Sequence, residues 1–593
     1  MGSVVIVIIA LVVYGGLYFT YGKWLERRVV GSDPKRPTPA HVLRDGVDYE
    51  PANRFVLFGH HFASIAGAAP IVGPAIAMAW GWLPGLLWVL AGNVFIGAVH
   101  DYLSLMASVR YDGKSVQWVA SRVIDRKMGY LFGWFILAVL ILVVAAFAAI
   151  VGGLFVKTPE VATSSSVFIL LAPVLGYLIY KTRLGLKWST LFGLLFIVVA
   201  ILAGFYVQIR LSYNIWMGIL FVYIVAAASL PVTVLLQPRD YMNSWLLVVG
   251  LAVGAASVLV AHHSMALPAF SSFSVNIITS HTPFWPVIPL IIACGSLSGF
   301  HALVASGTTS KQLDSEASGL FIGYGAMFTE GLLSSIVIVA IGAFGYQALS
   351  LAGVPADQMP HSASAFGVRY GFLVEHYMGG SPVHMFARSY GLAAHDAFGL
   401  PIATVSIMAA LWVSAFAMTS LDTSNRIARY TWTELLEPLR SRNESLHRIL
   451  SSRLMGAVVP AVAGIGLAWS GSWRMLWPAF GGANQMLASI ALFTVAVWVI
   501  QVRKAPAWPV VIPALLLWVT VTAALLWYLV AAVPIQWEKS KGQAIVIGGL
   551  MVLMLVMNGA LIVDFFRRTR KKKSHDEGTN PESMTQSNDQ RQP

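Results

Sequence analysis

Apolar stretches too long for a soluble core run through almost the whole chain. Residues 129–156 contain no charged side chain, and about 20 apolar residues cross the hydrocarbon core of a bilayer as one helix. Only 11% of the residues are charged and the mean hydropathy is +0.72, whereas about 25% of the residues of a soluble domain are charged. These values predict an all-α polytopic membrane protein.

Hydropathy predicts about fifteen transmembrane helices. The more polar region 347–400 is expected to hold a re-entrant or amphipathic helix. The predicted spans are 3–21, 55–80, 84–109, 129–156, 166–180, 188–207, 214–236, 244–262, 284–306, 319–346, 400–420, 454–472, 476–502, 508–531 and 543–566.

The distribution of basic residues predicts the orientation of the chain. If the N-terminus lies outside, the inner connections hold 32 of the 39 lysine and arginine residues. Cytoplasmic loops of membrane proteins carry such an excess. We therefore expect the N-terminus outside and the C-terminus in the cytoplasm, and the net charge of +13 indicates orientation in the bilayer and not nucleic-acid binding.

The second span, FGHHFASIAGAAPIVGPAIA, combines apolar residues with helix breakers. Pro70 cannot donate a backbone hydrogen bond, and Gly67, Gly73 and Pro74 weaken the same helix. Freed backbone groups are tolerated at membrane depth only where protein covers them or a cavity exposes them. A discontinuous helix also exposes an N-terminal dipole that attracts a carboxylate. A tightly packed, kinked helix is the other interpretation.

A second segment, CGSLSGFHALVASGTTSKQ, also combines apolar residues with glycine, serine and a histidine. Both segments contain G-x-H-x5-G, beginning at Gly59 and at Gly299. In the predicted topology the two spans run in opposite directions, as an inverted repeat requires.

Several ionisable groups lie inside predicted spans. An ionised Glu330 at the bilayer centre costs several kcal/mol, so it is expected to be protonated, paired or facing water. His60, His61, His100 and His301 are predicted to converge with an aspartate, Asp101, in the inner half of the membrane. Such a cluster can relay protons or bind a metal.

Two further polar stretches are expected to have structural roles. Residues 421–438 are predicted to form a separate inner amphipathic helix in which Asp422 pairs with Arg426 at i,i+4 spacing. Asn484 and Gln485 are expected to hydrogen-bond neighbouring helices, with lining of the transport pathway as the alternative. The chain contains no Walker A or dinucleotide-binding motif, so an active transporter with this sequence would depend on an ion gradient.

Four blocks of the sequence resemble the carbon starvation protein A (CstA) family. They are HHFASIAGAAPIVGPAIA, WLPGLLWVLAGNVFIGAVHDY, CGSLSGFHALVASGTTSKQL and FGGANQMLA. The resemblance implies a bacterial inner-membrane transporter induced when carbon is scarce, acting as a proton-coupled pyruvate symporter or as a peptide uptake system. It also implies the inverted repeats of the amino acid–polyamine–organocation superfamily. That scheme repeats after five helices, whereas the two motif spans here are the second and the ninth.

The expected organisation follows from these features. Residues 1–21 form a transmembrane helix, 22–54 a cytoplasmic loop, 55–502 a transporter core with inverted repeats and discontinuous helices, 503–566 C-terminal transmembrane helices, and 567–593 a basic, polar, disordered tail. The expected partners are a small carboxylate or peptide, protons and the lipid bilayer, without nucleic acid, cofactor, metal or enzymatic activity. The oligomeric state stays open.

Two sets of residues are candidates for function. Proton coupling is assigned to His61, Asp101, His301 and Glu330. A membrane-embedded metalloprotein using the four histidines, and a sensor without transport, are the alternatives from other classes. The predicted substrate-binding residues are Ser64, Gly67, Pro70, Gly73, Gly295, Ser296, Ser298 and Gly299.

Overall fold

The computed structural model describes residues 2–123, 126–292, 294–378, 382–469, 473–539 and 541–576, and this part of the chain is mostly helical. The first helices are α1 (Ser3–Leu17), α2 (Lys23–Leu25), α3 (Pro39–Val42), α4 (Arg54–Ala66), α5 (Ala69–Ala77), α6 (Trp82–Gly92), α7 (Ala98–Arg110), α8 (Val116–Val123), α9 (Arg126–Lys157), α10 (Pro159–Lys181), α11 (Gly185–Tyr206), α12 (Tyr213–Ser229) and α13 (Leu236–Ala261). The others are α14 (Phe284–Ile291), α15 (Gly299–Gly307), α16 (Gly325–Leu351), α17 (Ala363–Tyr377), α18 (Pro382–Phe398), α19 (Ile402–Leu435), α20 (Glu437–Arg440), α21 (Glu444–Leu450), α22 (Arg453–Ala468), α23 (Trp473–Trp498), α24 (Trp508–Trp527), α25 (Val533–Lys539) and α26 (Lys541–Asp576).

Short π, 3-10 and β elements complete this list. The strands β1 (Ser274–Val275) and β2 (Thr282–Pro283) pair antiparallel. The π segments are Tyr18–Gly22, Glu26–Val30, Asn93–Gly97, Leu320–Tyr324, Val499–Arg503 and Tyr528–Ala532, and the 3-10 segments are Met78–Trp80, Thr309–Lys311, Glu316–Ser318 and Ala356–Gln358.

Eleven helices of the described part are long and apolar enough to cross a membrane, or thirteen if each of two bent helix pairs counts as one span. The two predicted spans that remain, 214–236 and 284–306, overlap the 17-residue α12 and the two-part α14 and α15. The polar region between spans ten and eleven contains α17 and α18. The prediction of a helical polytopic membrane protein with discontinuous helices is therefore confirmed.

The two longest helices of the central bundle, α9 and α19, pack along each other. The membrane part of α9 is apolar on all sides, as a helix surrounded by other helices requires. Its side chains Val143, Val144 and Phe147 are buried. α19 carries hydroxyl and charged side chains toward the centre of the protein, and it positions much of the site described below.

The prediction of a separate amphipathic helix at 421–438 is wrong. α19 continues without a break to Leu435, and both Asp422 and Arg426 are buried on it. They do not pair with each other, because Asp422 binds Arg239 and Arg426 binds Asp48. Sequence spacing indicated a local pair, whereas both groups are satisfied by partners far away in the sequence.

The connection between α3 and α4 crosses the end of α19 and is held there by ion pairs between side chains. Asp48 accepts hydrogen bonds from Arg426 at 2.7 Å and from Arg429 at 3.2 Å, and a further one from Tyr430. Burial opposes the ionisation of Asp48, but the charges of Arg429 and Arg426, with the hydrogen bond from Tyr430, lower its pKa to about 2. Lys311 adds to this positive field, and the one carboxylate ties the loop to the end of α19.

We predict that Asp48→Asn destabilises the protein at pH 7 by about 3 kcal/mol, since it leaves buried arginine charge without its partner. The depressed pKa means that the carboxylate stabilises the folded state above about pH 4 and that this contribution is lost as the pH falls toward 2. Thermal unfolding in detergent measures the effect. The exposed Asp357→Asn is the matched control, and an unfolding temperature equal for both variants contradicts the prediction.

Candidate functional site

The first discontinuous helix breaks between α4 and α5, at a bend of 41°. Gly67 at the break has φ +51°, a backbone conformation that favours glycine. Pro70 lies in the first turn of α5, where its missing N–H costs no helical hydrogen bond. The predicted discontinuity therefore exists, but it lies at Gly67, three residues before Pro70. Its freed carbonyl at Ser64 accepts a hydrogen bond from Ser420 Oγ at 3.0 Å.

The second discontinuous helix breaks between the end of α14 at Ile291 and the start of α15 at Gly299. Gly295 in this gap has φ +89°. Its N–H donates to Glu330 Oε1 at 3.0 Å, and its carbonyl accepts from the Asn93 amide at 2.8 Å. Side chains of other helices thus satisfy the backbone groups that the break releases, as the bilayer interior demands.

The two breaks lie side by side. A Cβ atom added at Gly73 would lie 2.5 Å from the carbonyl oxygen of Ile291, so the glycine allows α5 to touch the start of the second gap. One turn of α16 serves both breaks, because Glu330 accepts from Gly295 while Ser334 Oγ donates to the carbonyl of Pro70 at 2.8 Å. The chain therefore builds a single polar centre from both segments.

A chain of ionisable groups leads into this centre. Asp101 on α7 binds His100 through Oδ1 at 2.8 Å and His301 Nδ1 through Oδ2 at 2.8 Å. The other ring nitrogen of His301 lies 3.5 Å from Glu330 Oε2. All four side chains are fully buried. The contacts form a continuous path from His100 to the Gly295 amide at the second break.

The adjacent histidines of α4 join different networks. His61 Nδ1 is 2.8 Å from the Thr309 hydroxyl, and its buried Nε2 has no hydrogen-bond partner among the described residues. His60 Nδ1 lies 2.6 Å from Asp240 Oδ2, and its Nε2 lies 3.0 Å from the Thr308 hydroxyl. Of the four histidines predicted to converge on Asp101, His100 and His301 contact it. His60 instead contacts Asp240 on α13.

A second buried ionic network was not predictable from the sequence. Arg239 on α13 binds Asp240 and Asp422, and the Tyr223 hydroxyl joins both Arg239 and Asp422. Hydropathy placed Arg239 in a short loop before a predicted span, but α13 begins at Leu236 and buries it. The only signal was an adjacent Arg-Asp pair at the edge of an apolar stretch, which is common in loops.

The remaining predicted binding residues are buried at the breaks. The Ser64 hydroxyl lies 3.3 Å from that of Thr423, Ser296 Oγ donates to the carbonyl of Ile292 at 2.6 Å, Ser298 Oγ donates to Asn484 Oδ1 at 3.1 Å, and Gly299 packs on the backbone of α23 at Asn484 and Ala488. Asn484 and Gln485 bind the second discontinuous segment, as predicted for amides that join helices.

One group of side chains has the donors of a metal site. The ligand atoms of Cys294, His301 and Glu330 lie within 4.8 Å of one another, and all three residues are buried. Sulfur, imidazole and carboxylate are donors that zinc accepts. This group shares only His301 with the four histidines of the metalloprotein alternative.

Two adjacent discontinuous helices in a multi-span helical protein, with buried ionisable groups at the breaks, are typical of membrane transporters. A profile of the family described as Carbon starvation protein CstA matches residues 2–524. The chain belongs to this family, as its sequence blocks predicted.

Named relatives match along most of their own length. "Peptide transporter CstA" of Bacillus subtilis is 32% identical over 95% of this chain and 96% of that protein. "Pyruvate/proton symporter BtsT" of Escherichia coli is 30% identical over 86% of this chain and 79% of that protein. Among solved structures, a manganese transporter of Eremococcus coleocola has a TM-score of 0.45 and 12% identity, covering 88% of this chain and 99% of that chain.

We predict that Gly73→Ala lowers the stability of the protein by about 1–3 kcal/mol, because the added methyl group overpacks the contact with Ile291. Gly218→Ala is the matched control, since a Cβ atom there meets nothing within 4 Å. The unfolding temperature in detergent should fall for the first variant only. Equal unfolding temperatures would show that the two breaks do not pack as described.

Proposed function

We propose that this CstA-family transporter imports a small carboxylate, with pyruvate the leading candidate, by symport with protons across the bacterial inner membrane. The observation that carries the proposal is the contact of Glu330 with both His301 and the Gly295 amide. A proton carrier is thereby joined directly to the backbone of a discontinuous helix. The similarity to a relative named as a pyruvate/proton symporter supports the same cargo.

The start of α5 is the favoured place for the substrate carboxylate. No side-chain hydrogen bond among the described residues caps this helix at Ala68. Pro70 has no N–H, and the N–H groups of Ile71 and Val72 bond to the Ala68 carbonyl, so the first turn offers an anion its dipole and the N–H of Ala69. The start of α15 is less suitable, because Asn484 Oδ1 already accepts the N–H of Phe300 at 2.9 Å. The Ser64 hydroxyl lies next to the first break, 3.3 Å from that of Thr423, and can supply a donor, whereas the Ser420 hydroxyl already donates to the Ser64 carbonyl.

Coupling follows from the charge of Glu330. An ionised carboxylate is a stronger hydrogen-bond acceptor than a neutral carboxyl group. Protonation of Glu330 therefore weakens its bond to the Gly295 amide and its attraction to His301. The strength of the hydrogen bond between the Gly295 amide and Glu330 at the second break then depends on the protonation of Glu330. In this mechanism the transporter changes conformation when a proton and the substrate are both bound.

We predict that labelled pyruvate accumulates in membrane vesicles in response to an inward proton gradient and that a protonophore abolishes the accumulation. Glu330→Gln should reduce the accumulation at least tenfold, because an amide cannot take up a proton in its place. Exchange of labelled for unlabelled pyruvate, which needs no net proton movement, should be reduced less.

The exposed Glu444→Gln serves as the control for this substitution. Accumulation that a protonophore leaves unchanged contradicts the proton coupling. Wild-type accumulation by Glu330→Gln would instead remove this residue from the mechanism.

A di- or tripeptide is the second candidate cargo, favoured by the similarity to relatives named as peptide transporters. A peptide also presents a carboxylate to the start of α5, but its ammonium group needs an anionic partner. Asp101 and Glu330 are the carboxylates of this centre.

Competition separates the two cargoes. For a carboxylate transporter, a hundredfold excess of dialanine should leave pyruvate uptake unchanged, while unlabelled pyruvate abolishes it. For a peptide transporter, labelled dialanine is accumulated and pyruvate does not compete. Lactate and acetate as further competitors define the size of carboxylate that the site accepts.

A further inference from the structure

A cavity of about 290 Å³ lies at the end of the bundle where α9 meets α17, α18 and α19. No acidic residue is among the described residues that line it. Its polar lining comes from Lys157, Thr158, Tyr377, His384, Arg388 and Ser406. We call this cavity with its polar lining the basic vestibule.

Two helices place the basic vestibule in line with the first break. A Cβ atom at Gly67 would lie 3.1 Å from the ring of Phe147 on α9 and 2.8 Å from Ser420 Oγ on α19. Lys157 lies ten residues beyond Phe147, and Ala410, which also lines the cavity, lies ten residues before Ser420 on the antiparallel helix. At 1.5 Å per residue, both helices put the cavity about 15 Å from the break.

The chemistry of the basic vestibule selects anions. Two permanent cations, Lys157 and Arg388, line one cavity without a carboxylate among its described lining residues, and such a concave surface focuses a positive potential. The buried Nδ1 of His384 has no hydrogen-bond partner among the described residues. The Tyr377 and Ser406 hydroxyls add donors. In the predicted topology this end of the bundle is the outer one, from which an imported substrate arrives.

We propose that the basic vestibule is an entrance site that attracts an anionic substrate and passes it to the start of α5. The assignment of a carboxylate as cargo rests on the proposed function. The electrostatic selection itself can be measured without transport, so the two claims can fail separately.

The first experiment places one reporter thiol in the cavity. Thr158→Cys in a Cys294→Ser background gives a chain with a single cysteine, and the Thr158 side chain makes no capping hydrogen bond. Its labelling rate is measured with an anionic and with a cationic methanethiosulfonate of similar size. The ratio of the two rates cancels differences in the thiolate fraction and reports the local potential.

We expect Lys157→Gln together with Arg388→Gln to lower the anion-to-cation ratio at least fivefold in 10 mM salt. In 500 mM salt the difference should nearly vanish, because the screening length falls to a few ångströms. Arg210→Gln is the matched control: Arg210 is exposed and contacts Gln208, which binds Glu160 near Thr158, but it does not line the cavity. No change in the ratio, or an equal change for Arg210→Gln, overturns the proposal.

The second experiment measures labelled pyruvate uptake at low ionic strength. The double substitution should raise the half-saturating concentration about fivefold without lowering the maximal rate, whereas Arg210→Gln leaves both unchanged. If the wild type takes up no carboxylate, the proposed cargo is wrong, and the labelling ratio still decides whether the basic vestibule selects anions. An unchanged half-saturating concentration in a transporting protein overturns its role as an entrance.

Discussion

The structure depends on one requirement of the bilayer, that every backbone polar group buried in it finds a partner within the protein. A continuous helix meets this requirement alone, whereas a discontinuous one needs other segments. Here α16 meets it for both breaks, through Glu330 on the Gly295 amide and Ser334 on the carbonyl of Pro70. α19 adds Ser420 at the first break. These two helices thus help to hold both breaks in place, and α16 puts an ionisable group, Glu330, directly at the second one.

The discontinuous helices were predictable because their cause is local. Gly67 and Gly295 adopt positive φ, and the surrounding glycine, proline and serine residues are visible in the sequence. The position of the first break was not predictable from the prolines, because proline fits the first turn of a helix. Pro70 begins α5 rather than ending α4. The intramembrane carboxylate Glu330 was identified from its cost in lipid, which is also a local property.

The partners of the charged residues were not predictable, because they come from distant parts of the chain. Asp422 and Arg426 have the spacing of a helical pair, yet a bundle of this size offers each a buried partner on another segment, and the apolar surroundings strengthen those contacts. The burial of Arg239 was not predictable for a different reason. It lies in a short polar connection between two apolar stretches, and the sequence does not show that α13 already begins at Leu236. Periodicity records which residues share a helix face but not which other helix meets that face.

The two buried networks differ in a way that bears on coupling. In the network of Arg239, a permanent guanidinium charge lies between Asp240 and Asp422, so a fixed cation already offsets one carboxylate. In the network of Asp101 and Glu330, no lysine or arginine is among the described contacts. The positive charge that two carboxylates need in a low-dielectric interior must then come from protons on the imidazoles or on Glu330 itself. The charge of the second network is therefore set by the protons that it holds, and this network also touches a broken helix. The Arg239 network, with its permanent guanidinium charge, has a structural role: it joins α13 to α19 through Asp422 and to α4 through the contact of Asp240 with His60.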